Sequence, residues 1–125
     1  MTISLIDHIV ICVHEPERFV AFYRDHLGAQ IEESRPGKCE IRFGDSKISV
    51  QTPQTIPDFA RGTLPGTANL CLVTGENIDD LCERLKAAGV DQVSELKTRD
   101  GATGPVRSAH FYDPEGNLLE LCNRL

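Results

Sequence analysis

Residues 6–29 read IDHIVICVHEPERFVAFYRDHLGA, and residues 67–90 read TANLCLVTGENIDDLCERLKAAGV. Each stretch opens with a short apolar run that reads as a buried strand. Each then continues at helical spacing, through Phe19, Phe22, Tyr23 and Leu27 in the first and Ile78, Leu81, Leu85 and Ala88 in the second. Glu15 and Pro16 open the first helix, because a proline is tolerated in a first turn. Gly28 and Gly89 stand where helix C-caps belong. His8 falls on Asn69, Glu15 on Glu76 and Gly28 on Gly89, always with a shift of 61 residues. A strand, a helix and a glycine cap that recur at one offset point to an internal duplication.

Each copy continues with three strand-like runs. These are AQIEESR, KCEIRFG and KISVQTP in the first, and DQVSELKT, VRSAHFYD and NLLELCNRL in the second. The expected fold class is therefore α+β, with two βαβββ modules forming curved mixed sheets around a cavity. The chain reads as one domain over 1–125, with module one at about 1–52, a linker at about 53–66 rich in proline and glycine, and module two at about 67–125. The linker carries Phe59 and Arg61 and is long enough to cover a site. The segment KTRDGATGPVRS is expected to be a mobile hairpin loop. It matches no phosphate-binding motif, and no helix follows it.

Period-two alternation assigns the faces. Cys39, Ile41, Phe43, Ile48 and Val50 form an apolar set that should pack on the first helix, leaving Glu40, Arg42, Ser49 and Gln51 opposite. In the second copy Arg107, Ala109, Phe111, Leu119 and Leu121 form the helix-side set. Ser108, His110, Tyr112, Glu120 and Cys122 form the other. Pairing Asp113 with Asn117 across the turn DPEGN puts His110 opposite Glu120, about 5 Å apart at Cβ. His8, Gln51, Asn69, His110 and Glu120 are all expected away from the helix-packed faces. An imidazole at His8 in an apolar strand suits a hydrogen-bonded core residue, a metal ligand or a general base. Its face places it in this polar set.

Bulk properties narrow the classes. The 125 residues are 40% hydrophobic and 26% charged, an ordinary globular composition. The net charge of -6 and the absence of a basic block argue against nucleic acid as a partner. No apolar run approaches the roughly 20 residues that span a bilayer. MTISLIDHI lacks the pattern of a signal peptide, so a cytoplasmic location is expected. The five cysteines include no CxxC pair and read as buried free thiols.

Paired βαβββ modules with DHIVI near the start and DPEGNLLEL near the end resemble the vicinal oxygen chelate superfamily, which includes glyoxalase I, extradiol dioxygenases, fosfomycin-resistance enzymes and bleomycin-binding proteins. FGDSKISVQ, PGTANLCLV and GATGPVRS look like its small glyoxalase-domain branch, some of whose members are labelled virulence proteins. The resemblance implies a divalent metal (Mn, Fe, Ni or Zn) held by His8, Glu120 and Gln51. Asn69 stands where many members carry histidine, and Gln51 (or Ser49) stands where glutamate or histidine is usual. Amide oxygens are poorer donors than carboxylate or imidazole.

On this reading Glu120 is a metal ligand or a base, and His110 completes the shell or hydrogen-bonds Glu120. Arg42, Asn69 and Tyr112 are candidate substrate contacts, Arg42 because its planar fork suits carboxylate or phosphate. The bland alternatives stay open: a cross-strand neighbour on a wet face for His110, a solvent or interface arginine for Arg42, and ordinary sheet polars for Asn69 and Gln51. The expected function is a metal-dependent lyase, isomerase, dioxygenase or thiol transferase acting on a small oxygenated substrate. The alternative is a binding protein that sequesters an antibiotic or metabolite without turnover. Long sheet edges also favour a homodimer.

Overall fold

The repeated pattern folds as two equivalent units in a computed structural model that describes residues 2–125. The first unit, 1–66, holds β1 (His8–Cys12), α1 (Pro16–Leu27), β2 (Gln30–Arg35), β3 (Lys38–Phe43) and β4 (Ser46–Gln51). The second, 67–125, holds β5 (Asn69–Val73), α2 (Ile78–Ala87), β6 (Lys97–Gly101), β7 (Gly104–Tyr112) and β8 (Leu118–Arg124). The strand orders are β1-β4-β3-β2 and β5-β8-β7-β6. In each sheet the first strand pairs in parallel with the last, and the other pairs are antiparallel. The duplication therefore extends from sequence to topology. Among the described residues no helix is long and apolar enough to cross a membrane.

Each helix buries one stripe on its own sheet. Phe19, Val20 and Tyr23 are buried from α1, while Phe22 and Leu27 are half-buried. Ile78, Leu81, Cys82 and Leu85 are buried from α2. On the sheets, Ile41, Ile48, Ala109, Phe111, Leu119 and Leu121 complete the two cores, matching the expected helix-side sets. Gly28 caps α1 in the left-handed region at φ 68°. In the second unit the cap falls on Ala88, one residue before the left-handed Gly89.

Two polar clamps fix module two. In the DPEGN turn, Asp113 accepts the N–H groups of Glu115 and Asn117, at 2.9 and 3.0 Å. The fully buried Asn117 donates to the Asp113 carboxylate at 2.9 Å and accepts the Ala68 N–H at 2.9 Å. Asn123 on β8 accepts the Ile78 N–H at 2.9 Å and donates to the carbonyls of Thr74 and Glu76. With the Asn77 side chain accepting from Asp80, this satisfies backbone groups around the start of α2 that the helix itself leaves unpaired.

The β6–β7 region differs from expectation. Residues 91–98 do not form one strand: β6 begins at Lys97, and Asp91 makes only an isolated bridge to Tyr112. The segment expected to be a loop, KTRDGATGPVRS, is instead a tight hairpin in which Gly101 pairs with Gly104. Its glycines read as flexibility, but Gly101 is there for want of space. A Cβ on it would lie 2.7 Å from the Gly104 carbonyl oxygen and 2.8 Å from Val106 Cγ1.

Candidate active site

The face of the second sheet opposite α2 carries three cross-strand rows of side chains. Asn69, Leu118 and Tyr112 form one, Cys71, Glu120 and His110 the next, and Val73, Cys122 and Ser108 the third. The His110–Glu120 pairing is the one expected from the turn. His110 Nε2 stands 3.3 Å from Glu120 Oε1, with side chains 27% and 18% exposed. Both groups are thus shielded yet reachable. Beyond the start of β6, Ser94 holds this part of β7: its Oγ accepts the His110 N–H at 2.9 Å, and its own N–H donates to the His110 carbonyl at 2.8 Å. The Tyr112 N–H donates to the Asp91 carbonyl. The irregular segment 91–94 therefore sets the position of His110.

Beside Glu120 lies a cleft of about 320 Å³, lined by Cys71, Val73, Gly101, Glu120, Cys122 and Arg124 among others. Cys71 is exposed as a residue, yet loss of water around its thiol, then the neighbouring Cys122 and Glu120, push it up to about 12. Asn69 is exposed and Tyr112 half-buried, one row along the same face, about 6.6 Å from the acid–imidazole row by strand geometry.

Module one carries a different set. His8 is exposed, and its Nδ1 meets the Asp7 carboxylate at 2.8 Å. His8, Lys47 and Arg42 form one row across β1, β4 and β3. Each of these three basic side chains has an acid beside it: Asp7 for His8, Glu40 for Lys47 at 2.7 Å, and Glu32 for Arg42. Arg42 therefore does not present an uncompensated charge. Arg99 and Arg107 are also committed, Arg99 to the Ser108 carbonyl and hydroxyl and Arg107 to Asp79 on α2.

Register also settles which residue of module one matches Glu120. His8 pairs with Lys47 as Asn69 pairs with Leu118, and Val10 pairs with Ser49 as Cys71 pairs with Glu120. Ser49 is thus the counterpart of Glu120, and Gln51 is the counterpart of Cys122. His8 and Gln51 lie at opposite ends of the β1–β4 pair, about 13 Å apart along the strands. The Ser49 hydroxyl is spent on the buried Glu40, donating to it at 3.1 Å.

The donors that the resemblance implies, His8, Gln51 and Glu120, are divided between the two modules. His110 and Glu120 supply one nitrogen and one carboxylate, and a catalytic metal centre commonly has three protein ligands. Among the described residues no group of three or more His, Cys, Asp or Glu side chains converges as a metal site does. Within either module the donors do not make the three-ligand centre expected for Mn, Fe, Ni or Zn.

Comparison with known proteins agrees with the fold. The model of the Glyoxalase/Bleomycin resistance protein/Dioxygenase superfamily matches residues 5–121. The virulence protein STM3117 of Salmonella typhimurium is 34% identical over 97% of this chain and 85% of that protein. Its crystal structure superposes with a TM-score of 0.93 at 31% identity, covering 100% of both chains. Human mitochondrial methylmalonyl-CoA epimerase is 28% identical over 93% of this chain and 72% of its own. TnmS3, an antibiotic-binding protein from Streptomyces sp. CB03234, superposes with a TM-score of 0.77 at 25% identity, over 100% of this chain and 99% of that one.

Proposed function

This chain belongs to the Glyoxalase/Bleomycin resistance protein/Dioxygenase superfamily, and from that premise we propose that it moves a proton on a small oxygenated substrate bound against the free sheet face of module two. The reaction class is isomerase or lyase. The observation that carries the reading is the shielded His110–Glu120 pair, with Asn69 and Tyr112 on the same face. A carboxylate next to an imidazole is an acid–base pair that needs no further cofactor for proton transfer.

Glu120 takes the proton from a carbon next to a substrate carbonyl, and the electrons of that C–H bond move into the enolate. His110 holds the Glu120 carboxylate in place and shares its proton. The enolate is then reprotonated at the neighbouring carbon or oxygen. The Asn69 amide and the Tyr112 hydroxyl supply donors for substrate oxygens. The similarity to an epimerase supports this chemistry. The steps above use side chains of module two alone.

The test is deuterium exchange. A panel of 2-hydroxyketones, 2-hydroxythioesters and thiol adducts of 2-oxoaldehydes is incubated with protein in heavy water and followed by proton NMR. Exchange next to the carbonyl that disappears in Glu120→Gln supports the proposal. Tight binding of a panel member with no exchange in the wild type overturns it. That result favours the binding-only reading, which the similarity to TnmS3 supports.

A further inference from the structure

Two groups at the cleft have no part in that chemistry. The sulfurs of Cys71 on β5 and Cys122 on β8 stand 3.7 Å apart. The residues are diagonal neighbours, since Cys71 pairs with Glu120 and Cys122 with Val73. Both line the cleft, Cys71 exposed and Cys122 only 1% exposed.

The spacing bears on what such a pair can bind. A disulfide needs sulfurs about 2.05 Å apart and Cα atoms within about 7 Å. Diagonal neighbours on adjacent strands are about 7–8 Å apart, so bridging them would strain the sheet. Two sulfurs bonded to one soft ion at about 2.3 Å lie about 3.8 Å apart at a tetrahedral angle and about 4.6 Å apart at a linear one. The observed 3.7 Å is an ordinary S–H···S contact from Cys71 to Cys122, and small side-chain rotations bring the two sulfurs to the separation that a shared ion needs.

We propose that Cys71 and Cys122 form a two-thiolate site for a soft monovalent cation, Cu(I) in chemical class, open to the cleft. Thiolate sulfur selects Cu(I) over the harder divalent ions that prefer oxygen and imidazole. Each thiol releases its proton to solvent as its sulfur–copper bond forms, and no electron is transferred. The site does not depend on the acid–base role of Glu120.

The experiment titrates reduced, full-length protein under nitrogen with Cu(I) buffered by bathocuproine disulfonate. Binding is read from the chelator's colour and from the near-ultraviolet sulfur-to-copper band. The expected result is one equivalent, with two protons released and the affinity rising with pH. Cys71→Ser, at an exposed strand position, should keep the wild-type circular dichroism and lose roughly 100-fold in affinity. Cys39→Ser should bind as the wild type does, and Glu120→Gln should keep the copper while losing deuterium exchange. The proposal is overturned if the wild type takes no copper from the competitor, or if Cys71→Ser binds as tightly. Isolation of a Cys71–Cys122 disulfide instead of the copper form also overturns it.

Discussion

His110 Nε2 and Glu120 Oε1 face each other at 3.3 Å across β7 and β8, on the side of the sheet that α2 leaves free. If this pair handles the proton, its two members fail differently. Glu120→Gln removes the base and should slow exchange by about 10²–10⁴-fold, the usual worth of a general base. His110→Gln keeps a hydrogen-bonding side chain beside the carboxylate and should fall by less. Equal, small losses in both variants would mean that the pair only shapes the cleft.

Metal should be dispensable. Protein stripped with a chelator and protein loaded with Mn, Fe, Ni and Zn in turn should bind and turn over the same compounds within about a factor of two, because a donor pair one ligand short holds such ions weakly. Mass spectrometry of untagged protein checks this directly. Stoichiometric metal that is lost in both His8→Ala and Glu120→Ala would restore the metal-centred expectation, with Asp7 orienting the His8 ring.

Glu40 makes module one's stability depend on pH. Its carboxylate is almost wholly buried. Lys47 first, then Ser49, hold it below its ordinary value of 4.5, outweighing the burial that pushes it up. The folded value thus lies below the unfolded one. The stabilisation is complete above the unfolded value and is lost as pH falls through the folded value. Urea unfolding should show Glu40→Gln destabilised by about 1–3 kcal/mol at pH 7. The gap to the wild type should stay level down to about pH 5 and close below it.

Asn117 joins the turn before β8 to the start of β5. Asn117→Ala leaves the Ala68 N–H and one Asp113 oxygen without their partner inside a fully buried site. The expected loss is about 2–3 kcal/mol by denaturant titration, the cost of orphaned buried polar groups. Asn117→Asp should not rescue it, because it sets a second carboxylate against Asp113.

Gly101→Ala tests the hairpin that borders the cleft. The added methyl meets a backbone oxygen at 2.7 Å, which cannot rotate away. The variant should lose about 1–3 kcal/mol, the range for overpacking. Faster amide exchange should be confined to residues 97–108. Unchanged exchange there would mean that the hairpin opens at little cost.

Much of this was legible in the sequence because duplication leaves a periodic trace. The shift between His8 and Asn69 located the first strand of each module, and the five residues DPEGN fixed the His110–Glu120 register. Two things were not legible. Glycine at 101 signals either freedom or lack of space, and only the neighbouring backbone separates the two. The module-one position that answers to Glu120, open in the sequence between Gln51 and Ser49, is the second. Register, which equates Ser49 with Glu120, is set by hydrogen bonds and not by side chains. Asn123 was missed for a similar reason. Its partners at the start of α2 are far from it in sequence.

In both modules the strand synthesised last lies inside the sheet, β4 between β1 and β3, β8 between β5 and β7. A nascent chain that has passed Tyr112 but not reached Leu118 therefore exposes two bare strand edges and lacks the asparagine that pins α2. Module two cannot close by zipping up as it emerges from the ribosome; it must wait for its final strand and then insert it. Module one has all of its strands some 70 residues earlier, so the order of synthesis supplies one complete sheet well before the other.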